Sequence, residues 1–164
     1  MNYDHRESLP YWIISTAHLL EQRFNTAFAP LGITFRQAEV MVMLSVDGAL
    51  SQIEVARRMG IEAPTLAGIV ARMEAAGWIV RESCSTDRRK KLLRLTDRVG
   101  PLWAQIFDRA LEVRGCLTDG VAAEKIQEMI DILEKMQGNL ERREKRAKEE
   151  APELADAAVT ATAE

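Results

Sequence analysis

Cysteine and histidine are scarce in this chain, two of each among 164 residues. Cys84 and Cys116 are too few for a disulfide framework and too isolated for a zinc site. Neither His5 nor His18 stands at ligand spacing from them, so no structural metal is expected. No apolar run approaches the roughly 18–20 residues that cross a bilayer, which excludes a membrane helix. The opening MNYDHRESLPYW lacks the basic-then-apolar order of a secretory signal, and the expected location is the cytoplasm. Enzyme signatures are missing too: there is no glycine-rich phosphate loop after a strand, no paired histidines, and no evident nucleophile with a base. No catalytic residue and no cofactor is therefore expected.

What is present is an ordinary globular composition, 47% hydrophobic and 29% charged, long enough for one domain with an appendage. The net charge of −3 hides an uneven distribution. Residues 49–98 carry 10 Lys+Arg against 6 Asp+Glu, a net of +4, while the remainder is at −7. A locally basic segment on an acidic body suits one face built for a polyanion. Within it, STDRRKKLLRLT at 85–96 concentrates four consecutive cations, Arg88 to Lys91, behind Asp87.

Apolar periodicity predicts a long amphipathic helix over about 8–30, ended by APLG. A capping signature, Thr34-x-x-Gln37, opens a second helix that stops at VDG. Ser51-x-x-Glu54 opens a third, ended by Gly60, and a fourth runs from about Ala63 to Ala76 with Leu66, Ile69, Val70 and Met73 as its inward stripe. Two short helices a few residues apart form a helix-turn-helix. WIVRES and LLRLT read as a strand and its return, with the cations between them. Thr96 is placed to cap a long helix over 97–117, and a last helix is expected over 122–146. The expected organisation is an N-terminal dimerisation helix (1–33), a winged helix-turn-helix lobe (34–98), C-terminal dimerisation helices (99–146) and a disordered tail (147–164). The wide apolar stripes of the long helices point to a homodimer across a two-fold axis.

This order of elements, with LGITFRQAEVMVMLSV, LSQIEVARRMGIEAPTLAGIVARMEAAGWIVR and STDRRKKLLRLT, resembles the MarR family of bacterial transcription regulators over roughly residues 10–142, and its SlyA branch in particular. The pattern Asp-x-Arg-x-x-x-Leu-x-Leu-Thr at 87–96 is among the more specific signatures of that family. The resemblance implies a mainly α, winged helix-turn-helix fold in an obligate dimer. It also implies the fourth helix in the major groove, the hairpin tip in the neighbouring minor groove, and a pseudo-palindromic operator.

On the fourth helix, Pro64, Thr65, Gly68 and Arg72 are expected to face outward toward DNA. Thr65 sits in the first turn near free amides, and Arg72 is long enough to reach a phosphate. The SlyA branch carries a polar residue and an arginine where this chain has Ala63 and Gly68, so base readout by the helix is expected to be thin and reliance on the wing greater. In the wing, Asp87 is expected by resemblance to brace Arg89. Arg88 or Arg89 is expected to enter the minor groove, with Lys90 and Lys91 on phosphates. Ser51, Gln52 and Arg36 are secondary phosphate candidates, Ser51 being equally a helix cap.

Family members often respond to an aromatic carboxylate or phenol, and Trp12, His18, Arg23 and Phe35 are the candidate ligand-binding residues here. An apolar pocket with one cation would suit an organic acid or an acyl-CoA thioester. The first-helix cysteine of peroxide sensors and the histidine cluster of zinc sensors are missing, while Cys84 lies among cations in the hairpin. The expectation is thus a ligand-relieved, DNA-binding regulator, most simply a repressor. The alternative is a winged helix used for protein contacts, which has no need of DRRKK.

Overall fold

The computed structural model describes residues 5–83 and 91–161. The chain divides into two compact units, the first ending at Leu117 and the second beginning at Thr118. The first unit holds helices α1 (Leu9–Phe28), α2 (Phe35–Asp47), α3 (Gln52–Met59), α4 (Ala63–Ala75) and nearly all of α5 (Gly100–Thr118). It also holds strands β1 (Leu50–Ser51), β2 (Ile79–Ser83) and β3 (Lys91–Leu95) in an antiparallel sheet ordered β1-β3-β2. The second unit is α6 (Ala123–Ala161).

Local chemistry sets most boundaries. At α2, the Gln37 amide donates to Thr34 Oγ1 and the Thr34 amide to Gln37 Oε1 at 2.8 Å. At α3, Ser51 and Glu54 make the same reciprocal pair. Each box satisfies two amides that the helix start would leave unpaired. Helix α1 stops at Phe28 and passes into a 3₁₀ turn over Ala29–Leu31, shorter than the expected helix to 30, because Pro30 has no amide to donate. Gly32, at φ 70°, then turns the chain toward α2.

The core lies among α2, α3, α4 and the sheet. Val40, Met41, Val55, Leu66, Val70, Met73, Ile79 and Leu93 are essentially solvent-free. The expected inward stripe of α4 is wholly buried. Strand β1 was not expected: Leu50 pairs with Leu93 and Ser51 with Leu92, so the loop before α3 becomes the third strand.

Two further departures concern the long helices. Thr96 does not cap α5; its Oγ1 donates to the Gly77 carbonyl at 2.7 Å. A 3₁₀ turn over Asp97–Val99 leads into α5 at Gly100 instead. Helix α6 runs to Ala161, past the expected end at 146 and through the segment expected to be disordered. That segment has six alanines between 147 and 161, the strongest helix-forming residue, and Pro152 removes one donor without ending the helix.

Candidate nucleic-acid interface and an adjoining cleft

Helix α4 is divided by burial. Leu66, Ile69, Val70 and Met73 anchor it, leaving Pro64, Thr65 and Arg72 exposed and Gly68 half-buried. Its N-cap, Glu62, makes no side-chain bond to the first amides, so those amides remain available to an oxyanion. Arg72 has no ion pair among the described residues, and its guanidinium folds back over Gly68: a methyl at position 68 would sit 3.6 Å from Nη1. The expected outward set of α4 is thus brought onto one face.

The hairpin ladder pairs Ile79 with Leu95, Val80 with Arg94, Arg81 with Leu93, Glu82 with Leu92 and Ser83 with Lys91. Buried Ile79 and Leu93 seat it on the core, and the Trp78 carbonyl accepts from the Thr96 amide below it. Most charge on the strands is neutralised locally, Arg81 by Glu74 at 3.1 Å and Arg94 by Glu82 at 2.8 Å. Lys91, exposed at the outer end, donates to Ser83 Oγ at 2.7 Å. Cys84, Asp87, Arg88, Arg89 and Lys90 lie outside the described residues.

Two of the secondary phosphate candidates are otherwise engaged. Arg36 is held by Glu21 through Nε at 3.1 Å and Nη2 at 3.0 Å, and by Glu39 through Nη1 at 3.1 Å. Two carboxylates hold three of the five N–H groups of this guanidinium at the junction of α1 and α2. The Ser51 hydroxyl donates to Glu54 and accepts from its amide, which makes it a cap first. Gln52, the first residue of α3, is half-buried.

Beside the lobe, α1, α2 and α5 line a cleft of about 490 Å³. Phe24 and Phe35 stack in its wall with centroids 4.7 Å apart and planes at 15°, and Ile106 contributes from α5. Among the described residues, the only polar side chains in the lining are Glu39 and Asp47. Burial raises the Glu39 pKa despite the opposing pull of Arg36. Of the four expected ligand residues only Phe35 lines this cleft. Trp12, His18 and Arg23 are exposed on α1, where the Trp12 indole donates to the Arg6 carbonyl at 2.7 Å. Residues facing the cleft on α2, Glu39 above all, escaped sequence reasoning. A charged residue within an amphipathic helix reads as surface until the packing of α1 and α5 is known.

Buried α4 stripe, exposed α4 face and hairpin together make a winged helix. Residues 31–90 match the MarR family. The whole fold agrees with MarR-type structures. One is the Bordetella bronchiseptica BpsR, whose DNA binding is regulated by 6-hydroxynicotinic acid; it matches with a TM-score of 0.76 at 21% identity, over 84% of this chain and 98% of that one. CouR from Rhodococcus jostii RHA1, bound to p-coumaroyl-CoA, matches at 0.72 and 23% identity, over 82% and 95%. A structure of the transcriptional repressor CouR on a 23-mer DNA duplex matches at 0.74 and 23% identity, over 84% and 99%. The fold of this chain is therefore the MarR-type winged helix, with long helices before and after it in sequence.

Proposed function

We propose that this chain is a MarR family transcription regulator of the SlyA-like branch, a cytoplasmic homodimer that binds a pseudo-palindromic operator as a repressor and releases it when a small organic molecule occupies the cleft beside the lobe. The observation that carries this reading is the division of α4, a fully buried stripe behind an exposed face of Pro64, Thr65 and Arg72. It is followed in sequence by a ladder that leads into Arg88, Arg89, Lys90 and Lys91. A protein-binding winged helix gains nothing from four adjacent like charges, whereas a phosphate backbone supplies their counter-charge.

In this reading α4 enters the major groove. Thr65 and the uncapped amides hold a phosphate, Arg72 reaches another, and Gly68 lets the helix approach the groove floor. Arg88 or Arg89, braced by Asp87, enters the minor groove with Lys90 and Lys91 on flanking phosphates. Two lobes related by two-fold symmetry require half-sites about one helical turn, ~34–36 Å, apart. Support for the dimer comes from apolar side chains that the single chain leaves uncovered. Leu9, Trp12, Ile13, Ile14 and Leu19 are exposed on α1, and Phe107, Leu111 and Leu117 on α5. Helix α6, taken by itself, exposes Met129, Ile130, Leu133 and Leu140. Faces of this kind mark an interface rather than a solvated surface.

Release follows from the position of the cleft. Helices α1 and α5 belong to the proposed dimer scaffold and α2 to the lobe, so a ligand between them favours whichever lobe spacing it fits. It weakens DNA binding by the difference in its affinity for the two spacings. The test is a fluorescence-anisotropy titration of the full chain on the DNA flanking its own gene. Arg88→Ala with Arg89→Ala is expected to lower affinity sharply and to flatten the salt dependence by roughly two counterions, with the dimer intact. Salt-insensitive binding by the unaltered protein would instead favour a protein-interaction module.

A further inference from the structure

We propose that the cleft walled by Phe24 and Phe35 selects aromatic ligands that carry a hydrogen-bond donor and no negative charge, and turns away aromatic carboxylates. This rests on the reading of the cleft as the effector site and names the ligand class that the site takes.

The wall suits a flat ring. Phe24 and Phe35 are stacked at 4.7 Å, and Phe28 lies 5.6 Å from Phe24 at 33°, a set of faces and edges that an inserted aromatic can extend. The polar character of the lining has one sign. Glu39 and Asp47 are its only polar side chains among the described residues, and an ionised carboxylate accepts hydrogen bonds without donating any. No described side chain in the lining offers a donor or a positive charge to an organic anion.

The cations beside the lining do not change this. Arg36 lies 5.8 Å from the Phe35 ring centroid, but Nε and Nη2 are committed to Glu21 and Nη1 to Glu39. Three of its five N–H groups are taken, and a carboxylate reaching the other two would approach a cation already flanked by two acids, a cluster whose net charge is negative. Asp47 is likewise paired, with Arg58 at 2.6 Å. A donor finds the opposite situation. Arg36 occupies Oε2 of Glu39, while Oε1 accepts from none of the described residues. A phenolic hydroxyl or an aromatic amine can donate to this oxygen in place of water. Burial holds the Glu39 carboxyl above its ordinary pKa, against the pull of Arg36.

The experiment uses the full chain and three probes of one shape, 4-ethylphenol, 4-ethylaniline and 4-ethylbenzoate, titrated calorimetrically near neutral pH. The phenol and the aniline are expected to bind at least ~10-fold more tightly than the benzoate. Glu39→Gln keeps the shape and removes the charge, and is expected to bring benzoate to within about threefold of the phenol. Phe35→Ala is expected to weaken every probe, which locates binding in this cleft. Benzoate binding as tightly as the phenol, or a preference unaltered by Glu39→Gln, overturns the proposal. A parallel anisotropy titration of the DNA complex separates the two readings. A probe that binds with the expected preference yet releases no DNA overturns the effector role and leaves the charge selection standing. Benzoate that binds best and releases DNA does the reverse, and failure of every probe to bind overturns both.

Discussion

Gly68→Ala separates the stability of helix α4 from its use. Glycine inside a helix is less favourable than alanine by about 0.5–1 kcal/mol, because its backbone loses more freedom on folding. The structure gives the folded protein no reason to keep it. Gly68 lies within α4 with ordinary helical geometry, and an added methyl would meet only Arg72 Nη1, at 3.6 Å, the movable end of an exposed side chain. The variant is therefore expected to be more stable by about that amount, a rise of roughly 1–4 °C in Tm for a chain of this size. If α4 lies in the major groove with position 68 against the groove floor, the same methyl crowds the DNA. Overpacking of one methyl in a tight contact costs about 1–3 kcal/mol, or roughly five- to 150-fold in Kd. Thermal melts and anisotropy titrations on one preparation read the two effects independently. A higher Tm with unchanged Kd would refute the close approach, and a lower Tm would refute the open packing around position 68.

Other perturbations test the surrounding assignments. Thr96→Val removes the 2.7 Å bond to the Gly77 carbonyl and is expected to cost about 1 kcal/mol, read as a lower urea midpoint; an unchanged midpoint would show that the bond does not tie the end of β3 to the turn after α4. Glu39→Gln tests the buried carboxyl through pH. Since burial raises the Glu39 pKa in the folded state, its share of the stability is complete below the ordinary value of 4.5 and declines as pH rises through the higher folded value. The Tm of the variant should therefore gain on the wild type across that window, and a parallel pair of curves would refute the assignment. Leu19→Glu combined with Phe107→Glu alters side chains 61% and 64% exposed in the single chain, so the fold should survive while light scattering reports a one-chain mass at micromolar concentration in place of a two-chain mass. A wild-type protein already at the one-chain mass would refute the dimer.

Features held in short stretches of chain are legible in the sequence itself. The Thr34–Gln37 and Ser51–Glu54 boxes close between residues three apart, and the buried stripe of α4 is a period within one helix. What escapes such a reading depends on distant partners. Strand β1 is two residues long and exists only because β3, some forty positions later, lies beside it. Thr96 has the composition of a cap, yet a carbonyl nineteen residues upstream takes its hydroxyl.

Arg36 shows most clearly how this matters for function. In sequence it is an isolated cation at a helix start, as available to a phosphate or an organic acid as any other. Packing of α1 against α2 brings Glu21 within 3.0 Å of it, and Glu39 one helical turn on completes the pair. The expectation of an apolar pocket with one cation took Arg23 as its charged candidate, which stands exposed on α1 outside this lining, whereas the charge a ligand meets is what remains after such pairing. Here the remainder is acceptor oxygen against stacked phenylalanines, and from that balance, rather than from the count of lysines and arginines, the ligand class follows.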